Sequence, residues 1–221
     1  MIQRGIPWVL HAASLAQGIP LLAAIRYGRR LPPARRWVLV WCLALLAGDA
    51  AQLWFRSGGT NNLWLNYIVV PLHNVIMLWT LSLWQDDPVS RLAFRIAIPL
   101  DLLALGVIIP VTETAPVFYQ FAWPFQALVL LAGSLYTLVR LSSREPDRAT
   151  SRDWFWVTLG TSLYFAFRMA LPPFVELTIN GNRDLARLAY VVSAWADIVA
   201  YILIARGMVC PLPPARSGGS S

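Results

Sequence analysis

Long apolar runs separated by short polar breaks dominate the chain. Seven such runs occur, at residues 7–25, 37–55, 63–84, 92–111, 117–141, 154–175 and 188–205. As α-helices of 18 to 25 residues they would span about 27–37 Å, which matches a hydrocarbon core of roughly 30 Å. Open strands cannot cross lipid, because their backbone groups would lack hydrogen-bond partners. The pattern therefore predicts an all-α integral membrane protein, a seven-transmembrane-helix bundle.

Prolines fall inside five of these runs, and each is expected to kink its helix because proline cannot donate a backbone hydrogen bond. They are Pro20, Pro71, Pro99, Pro124 and the pair Pro172–Pro173.

Composition supports a lipid-embedded chain with one domain. Of the 221 residues, 57% are hydrophobic and 13% are charged, whereas soluble domains carry about 25% charged residues. Seven crossings use roughly 140 residues, which leaves only short loops. We expect a single transmembrane domain over residues 1–207. The tail, residues 208–221, is rich in proline, glycine and serine and is expected to be disordered.

Arginine placement predicts the orientation of the bundle. Thirteen of the 18 arginines lie in breaks or near the ends of runs on one side of the predicted bundle, four lie on the other side, and Arg168 lies deep inside a helix. Because cytoplasmic loops are enriched in basic residues, the C-terminus is expected in the cytoplasm and the N-terminus outside. The net charge of +7 then reflects topology, so no nucleic-acid partner is expected. We expect a multi-pass protein of a bacterial inner membrane, in contact with its lipids.

Several kinds of chemistry are excluded by missing residues. The chain has no lysine, so a retinal Schiff base is impossible. It has two histidines, His11 and His73, which excludes a three-histidine zinc site, and we expect no metal. GxSxG, HExxH and Walker A motifs are absent. The sequence identifies no cofactor and does not favour an enzyme.

Polar side chains inside the predicted helices are the candidate functional residues, because lipid-facing polarity is costly. Helical spacing places several of them on shared faces. Tyr190, Ser193 and Asp197, for example, occur at i, i+3 and i+7. The candidate cavity residues are His73, Asn66, Asp49, Arg168, Tyr190 and Asp197.

Charges among these residues require partners. Each charge at a helix centre costs roughly 2.5–3.5 kcal/mol. Asp49, Asp101, Arg168 and Asp197 would thus cost about 10–14 kcal/mol if unpaired. We therefore predict that Arg168 faces the bundle interior within salt-bridge reach of Asp49 or Asp197. One cation cannot neutralise three carboxylates, so at least one aspartate is expected to be protonated or to face water.

Three functions are compatible with this pattern. The first is a polar, outward-facing intramembrane cavity that binds a small amphiphile or polar ligand for sensing or transport, with Arg168 holding an anionic group. The second is an accessory subunit of a larger membrane complex, associated with pigment or lipid, in which other membrane subunits would be partners. The third is an intramembrane hydrolase of lipid headgroups that uses aspartates. A sealed hydrogen-bonded plug, without a ligand, is the structural alternative to the cavity.

Overall fold

A computed structural model describes residues 7–25, 31–59, 63–112, 121–179 and 183–211. Within these ranges all regular structure is helical. Short 3-10 segments at Leu63–Leu65 and Pro146–Ser151 accompany the α-helices. The α-helices are α1 (Pro7–Ala16), α2 (Gly18–Ile25), α3 (Pro33–Ser57), α4 (Asn66–Leu83), α5 (Pro88–Thr112), α6 (Ala122–Arg144), α7 (Asp153–Ile179) and α8 (Arg183–Met208).

Six spans in the described part of the chain are long and apolar enough to cross a membrane, as expected of a multi-pass membrane protein. They are Trp8–Ile25, Pro33–Ser57, Asn66–Leu83, Pro88–Val111, Ala122–Arg144 and Asp184–Met208. Helix α7, the counterpart of the sixth predicted crossing, is 27 residues long but is not among them. Its inner face carries Thr158, Thr161 and Arg168, which lower its apolar content. The count of seven and the orientation of the termini remain predictions.

The first apolar run is divided into two helices at Gln17. Pro20 has no N–H to donate to the carbonyl of Ala16, and α1 ends at that residue. The Gln17 N–H instead bonds the Ser14 carbonyl at 3.3 Å. Pro71, by contrast, lies within a continuous α4. Pro124 lies in the first turn of α6, where proline is tolerated.

Helices α7 and α8 pack with their backbones close together. A Cβ atom added at Gly160 of α7 would lie 2.6 Å from the Ala200 carbonyl oxygen, and one added at Gly207 of α8 would lie 2.6 Å from Cγ2 of Val157. Small residues at such positions allow the close approach that drives helix association in lipid. This pair holds Arg168 and Asp197 on facing helices.

The core between α3, α7 and α8 is aromatic. Trp41, fully buried, lies with its ring centroid 5.7 Å from that of Tyr164, 6.1 Å from Phe165 and 6.4 Å from Tyr201. These distances are typical of favourable aromatic pairs. The cluster forms one wall of the cavity described below.

Arg35 joins three helices at the end of the bundle where α3 and α7 begin and α8 ends, here called the arginine-rich end. The sequence places Arg35 in a loop as a topology determinant, but α3 begins earlier than predicted, at Pro33. Arg35 is fully buried. Its Nε donates to Oδ2 of Asp153 at 2.9 Å, and its Nη1 donates to the carbonyls of Met208 and Cys210 at 3.1 and 2.8 Å. It therefore caps the last carbonyls of α8.

The predicted boundaries of the fifth run and of the tail fall partly outside the described residues. Residues 117–120 and 212–221 lie outside them, while α6 begins at Ala122 and α8 continues to Met208.

Candidate functional site

A polar cavity of about 140 Å³ lies between α3, α4, α6 and α7, beside the turn at Gln17. Its residues come from the middle and last half of α3, the first half of α4, the start of α6 and the middle of α7, so it lies away from the arginine-rich end. Amide, imidazole, carboxylate and guanidinium groups alternate there with aromatic rings. The lining residues are Gln17, Trp41, Leu45, Gly48, Asp49, Gln52, Asn66, Val69, Val70, His73, Trp123, Gln126, Tyr164, Phe165 and Arg168.

Arg168 is held by an ion pair and by two aromatic rings. Its Nη2 donates to Oδ2 of Asp197 at 2.8 Å. This confirms the predicted pairing of Arg168 with an aspartate. The guanidinium carbon lies 5.3 Å from the ring centroid of Trp123 and 5.0 Å from that of Tyr164, within cation–π range. A free anion would have to compete with Asp197 for this guanidinium.

Asp49 is the one carboxylate among the described residues that line the cavity. Its Oδ2 accepts a hydrogen bond of 2.9 Å from Nε2 of Gln17. The helix break caused by Pro20 thus places an amide next to this carboxylate. Asp197 lies behind Arg168, with 6% of its side chain exposed.

Two further amides connect the walls of the cavity. Gln52 of α3 donates to Oδ1 of Asn66 on α4 at 3.0 Å. Gln126 of α6 donates to the Val70 carbonyl on α4 at 3.1 Å. These bonds fix the three helices relative to one another around the cavity.

Five buried polar atoms of the lining residues have no hydrogen-bond partner within the described part of the chain. They are Oε1 of Gln17, Nε1 of Trp41, Nε2 of His73, Oε1 of Gln126 and Nε of Arg168. Each buried polar group without a partner costs about 1–3 kcal/mol. A polar cavity of this size offers space for waters or a ligand that would supply those partners.

The tautomer of His73 follows from its contacts. Its ring bonds the backbone of Ala44, whereas its Nε2 has no partner among the described residues. Because a ring nitrogen bonds a carbonyl only by donating, Nδ1 carries the proton and Nε2 is a free acceptor. His11, in contrast, lies on the exposed face of α1.

Four of the six predicted site residues line the cavity together: His73, Asn66, Asp49 and Arg168. Asp197 contacts the cavity through Arg168. Tyr190 is 44% exposed and is not among the lining residues. Helical spacing correctly predicts that Tyr190 shares a helix face with Asp197. It does not predict how far the neighbouring helices cover that face, and at Tyr190 they leave it exposed.

Asp101, which the sequence places alone on its helix, has a partner on α4. Nδ2 of Asn74 donates a short hydrogen bond to Oδ2 of Asp101. Both residues are buried, and Oδ1 of each has no partner in the described part of the chain. The Asn74 amide therefore connects Asp101 of α5 to α4.

Comparison with protein-family models, curated proteins and solved structures gave no match. The function therefore has to be argued from the chemistry of the cavity.

Proposed function

We propose that this chain is a seven-crossing membrane protein with a cytoplasmic C-terminus that binds a small polar ligand, or the polar end of an amphiphile, in the cavity beside Arg168. With the predicted orientation, the cavity lies toward the outer face of the membrane. The observation that supports binding is the set of buried donors and acceptors there that lack partners in the described chain.

The size of the cavity limits the ligand. Ligand pockets for drug-sized molecules measure about 300–1,000 Å³, and this cavity measures about 140 Å³. It accommodates roughly four or five waters at about 30 Å³ each, or a polar group of similar volume. A whole lipid does not fit, whereas a headgroup or a small solute does.

A single carboxylate favours binding over hydrolysis. The hydrolase considered from the sequence would use two aspartates at the cavity as general acid and base. Among the described residues Asp49 alone lines it, because Asp197 is bonded to Arg168 and buried. We therefore favour a non-enzymatic role in sensing or transport.

A second candidate, an accessory subunit of a larger complex, is compatible with the exposed face of helix α5. Only 17% of its span is buried, and one face presents Leu92, Ile96, Leu100 and Leu103, each 48–67% exposed. Lipid or a partner helix would cover such a face. Partner chains that remain bound during gentle solubilisation would support this alternative.

Native mass spectrometry of the gently solubilised protein tests the binding proposal. Val69 lines the cavity, so Val69→Phe should fill it, whereas the adjacent Ile68 is 58% exposed and Ile68→Phe is the matched control. We expect a small bound molecule on the wild type and on Ile68→Phe, and its loss from Val69→Phe. Wild-type protein that carries no small molecule under any gentle condition, or a molecule bound equally by all three forms, would contradict the proposal.

A further inference from the structure

The charges around the cavity do not balance. This inference rests on the proposed binding function and concerns the class of ligand. Arg168 is positive, while Asp49 and Asp197 are negative when ionised, and these three groups interact electrostatically. One positive and two negative groups give a net charge of −1. Since isolated charge is costly in a membrane interior, one further positive charge would balance the cluster.

His73 does not supply that charge. Its Nδ1–H donates to the backbone of Ala44. If Nε2 also carried a proton, no group among the described residues would accept a hydrogen bond from it. The imidazole therefore fits the cavity as a neutral acceptor. A bound cation would supply the missing charge.

Acceptors outnumber donors among the unsatisfied atoms of the cavity. Oε1 of Gln17, Oε1 of Gln126 and Nε2 of His73 are acceptors without partners in the described chain. They add to the carboxylate of Asp49. Gln17 and Gln126 are only 4% and 3% exposed, so bulk solvent does not satisfy them.

Nε1 of Trp41 and Nε of Arg168 are the only buried donor atoms without a partner among the described lining residues. An anion would leave the three acceptors unpaired and would raise the negative charge of the cluster. A group with several N–H donors and a positive charge satisfies both requirements, and an ammonium has three donors and no acceptor.

We propose that the cavity binds a small protonated amine, whose ammonium group pairs with Asp49. The bound ammonium donates to Asp49 and to one or two of the amide and imidazole acceptors. Its positive charge balances the second carboxylate of the cluster.

The groups around Asp49 are compatible with this pairing. The turn between α1 and α2 contributes the uncharged Gln17, α4 contributes the neutral His73, and α6 contributes the uncharged Gln126. Tyr164 and Arg168 of α7 and Asp197 of α8 interact electrostatically with Asp49. Because Arg168 and Asp197 neutralise each other through their ion pair, Asp49 is the carboxylate that pairs with the bound ammonium.

Calorimetric titration and thermal unfolding of the full chain in detergent test the proposal. The probe is ethylammonium chloride, compared with sodium acetate, ethanol and sodium chloride at matched ionic strength. We expect binding of ethylammonium and no binding of acetate, ethanol or sodium ion at the same concentration.

Asp49→Asn removes the charge and keeps an oxygen for Gln17, so it should fold and lose amine binding by at least tenfold. Asp184→Asn, at an exposed aspartate in the first turn of α8, should bind as the wild type does. If Asp49→Asn does not fold, Val69→Phe, which fills the cavity, should lose ethylammonium binding, and binding that Val69→Phe retains would contradict the assignment.

The outcomes separate the two proposals. Binding of acetate, ethanol or sodium ion that Val69→Phe abolishes would overturn the amine assignment and leave the binding function standing. Absence of binding by any probe, together with no small molecule in native mass spectra, would overturn both. Amine binding that is equal in Asp49→Asn and the wild type would overturn the role of Asp49.

Discussion

Removal of Arg168 should destabilise the bundle far more than removal of a surface arginine with an equally short ion pair. Arg168→Ala leaves the Asp197 carboxylate, 6% exposed, without its cation. Breaking a buried pair costs about 3–5 kcal/mol. Because the deletion also opens Asp197 toward the cavity, where water can enter, we expect the free energy of unfolding to fall by about 3 kcal/mol.

The matched control is Arg152→Ala. Arg152 lies 2.8 Å from Oε2 of Glu145, the same separation as in the Arg168–Asp197 pair, but its side chain is 32% exposed and that of Glu145 is 44% exposed. Exposed pairs contribute about 0–1 kcal/mol. The two variants therefore compare a buried and an exposed ion pair that have the same shortest N···O distance.

Equilibrium unfolding in mixed micelles with increasing denaturing detergent measures the free energies. Asp197→Asn should cost less than Arg168→Ala, because an amide oxygen still accepts from the guanidinium. The double variant should be more stable than the sum of the two single changes predicts, since the stranded carboxylate is gone. Additive losses, or equal losses for Arg168→Ala and Arg152→Ala, would refute the reasoning that burial makes this pair strong.

Three further predictions concern other parts of the fold. Arg35→Ala should lower the free energy of unfolding by about 3–5 kcal/mol in the same assay, because Arg35 is fully buried and contacts α7 and α8. Arg36→Ala, at an exposed position, should lower it much less. Equal losses for the two variants would contradict the capping role of Arg35. Gly160→Ala should lower stability by about 1–3 kcal/mol, because its Cβ would lie 2.6 Å from a backbone oxygen of α8, whereas Gly106→Ala, with nothing within 4 Å, should not; a neutral Gly160→Ala would contradict the close packing. Hydrogen bonds from Ser90, and further ones from Val89 and Arg140, hold the pKa of Asp87 well below its usual range. The wild type should therefore have a higher Tm than Asp87→Asn above about pH 4, and this difference should disappear as the pH falls further. A difference in Tm that persisted in acid would contradict this.

The membrane-spanning helices could be predicted from the sequence because hydropathy over about 20 residues is a local property. Six of the seven predicted runs coincide with apolar spans in the structure. The ion pair of Arg168 could also be predicted, since the cost of an isolated guanidinium in lipid requires a partner. The identity of that partner could not, and two aspartates remained possible until α7 and α8 were placed together.

Residues whose roles depend on distant contacts could not be predicted. Arg35 resembles the loop arginines beside it, and its function depends on carbonyls 173 and 175 positions away. Gln17 and Gln126 occur in otherwise apolar runs, which is a detectable signal, but the sequence does not show that both contact one cavity. Asn74 likewise explains Asp101 only when α4 and α5 are adjacent.

An experimental structure of the protein purified in a mild detergent, with its cavity resolved at high resolution, tests the central claim most directly. We predict non-protein density larger than single waters, in contact with Asp49 and with at least two of the unpaired atoms of Gln17, His73 and Gln126. A collapsed cavity in which these side chains bond one another, or one filled only by ordered waters in every preparation, would contradict ligand binding and leave a structural plug.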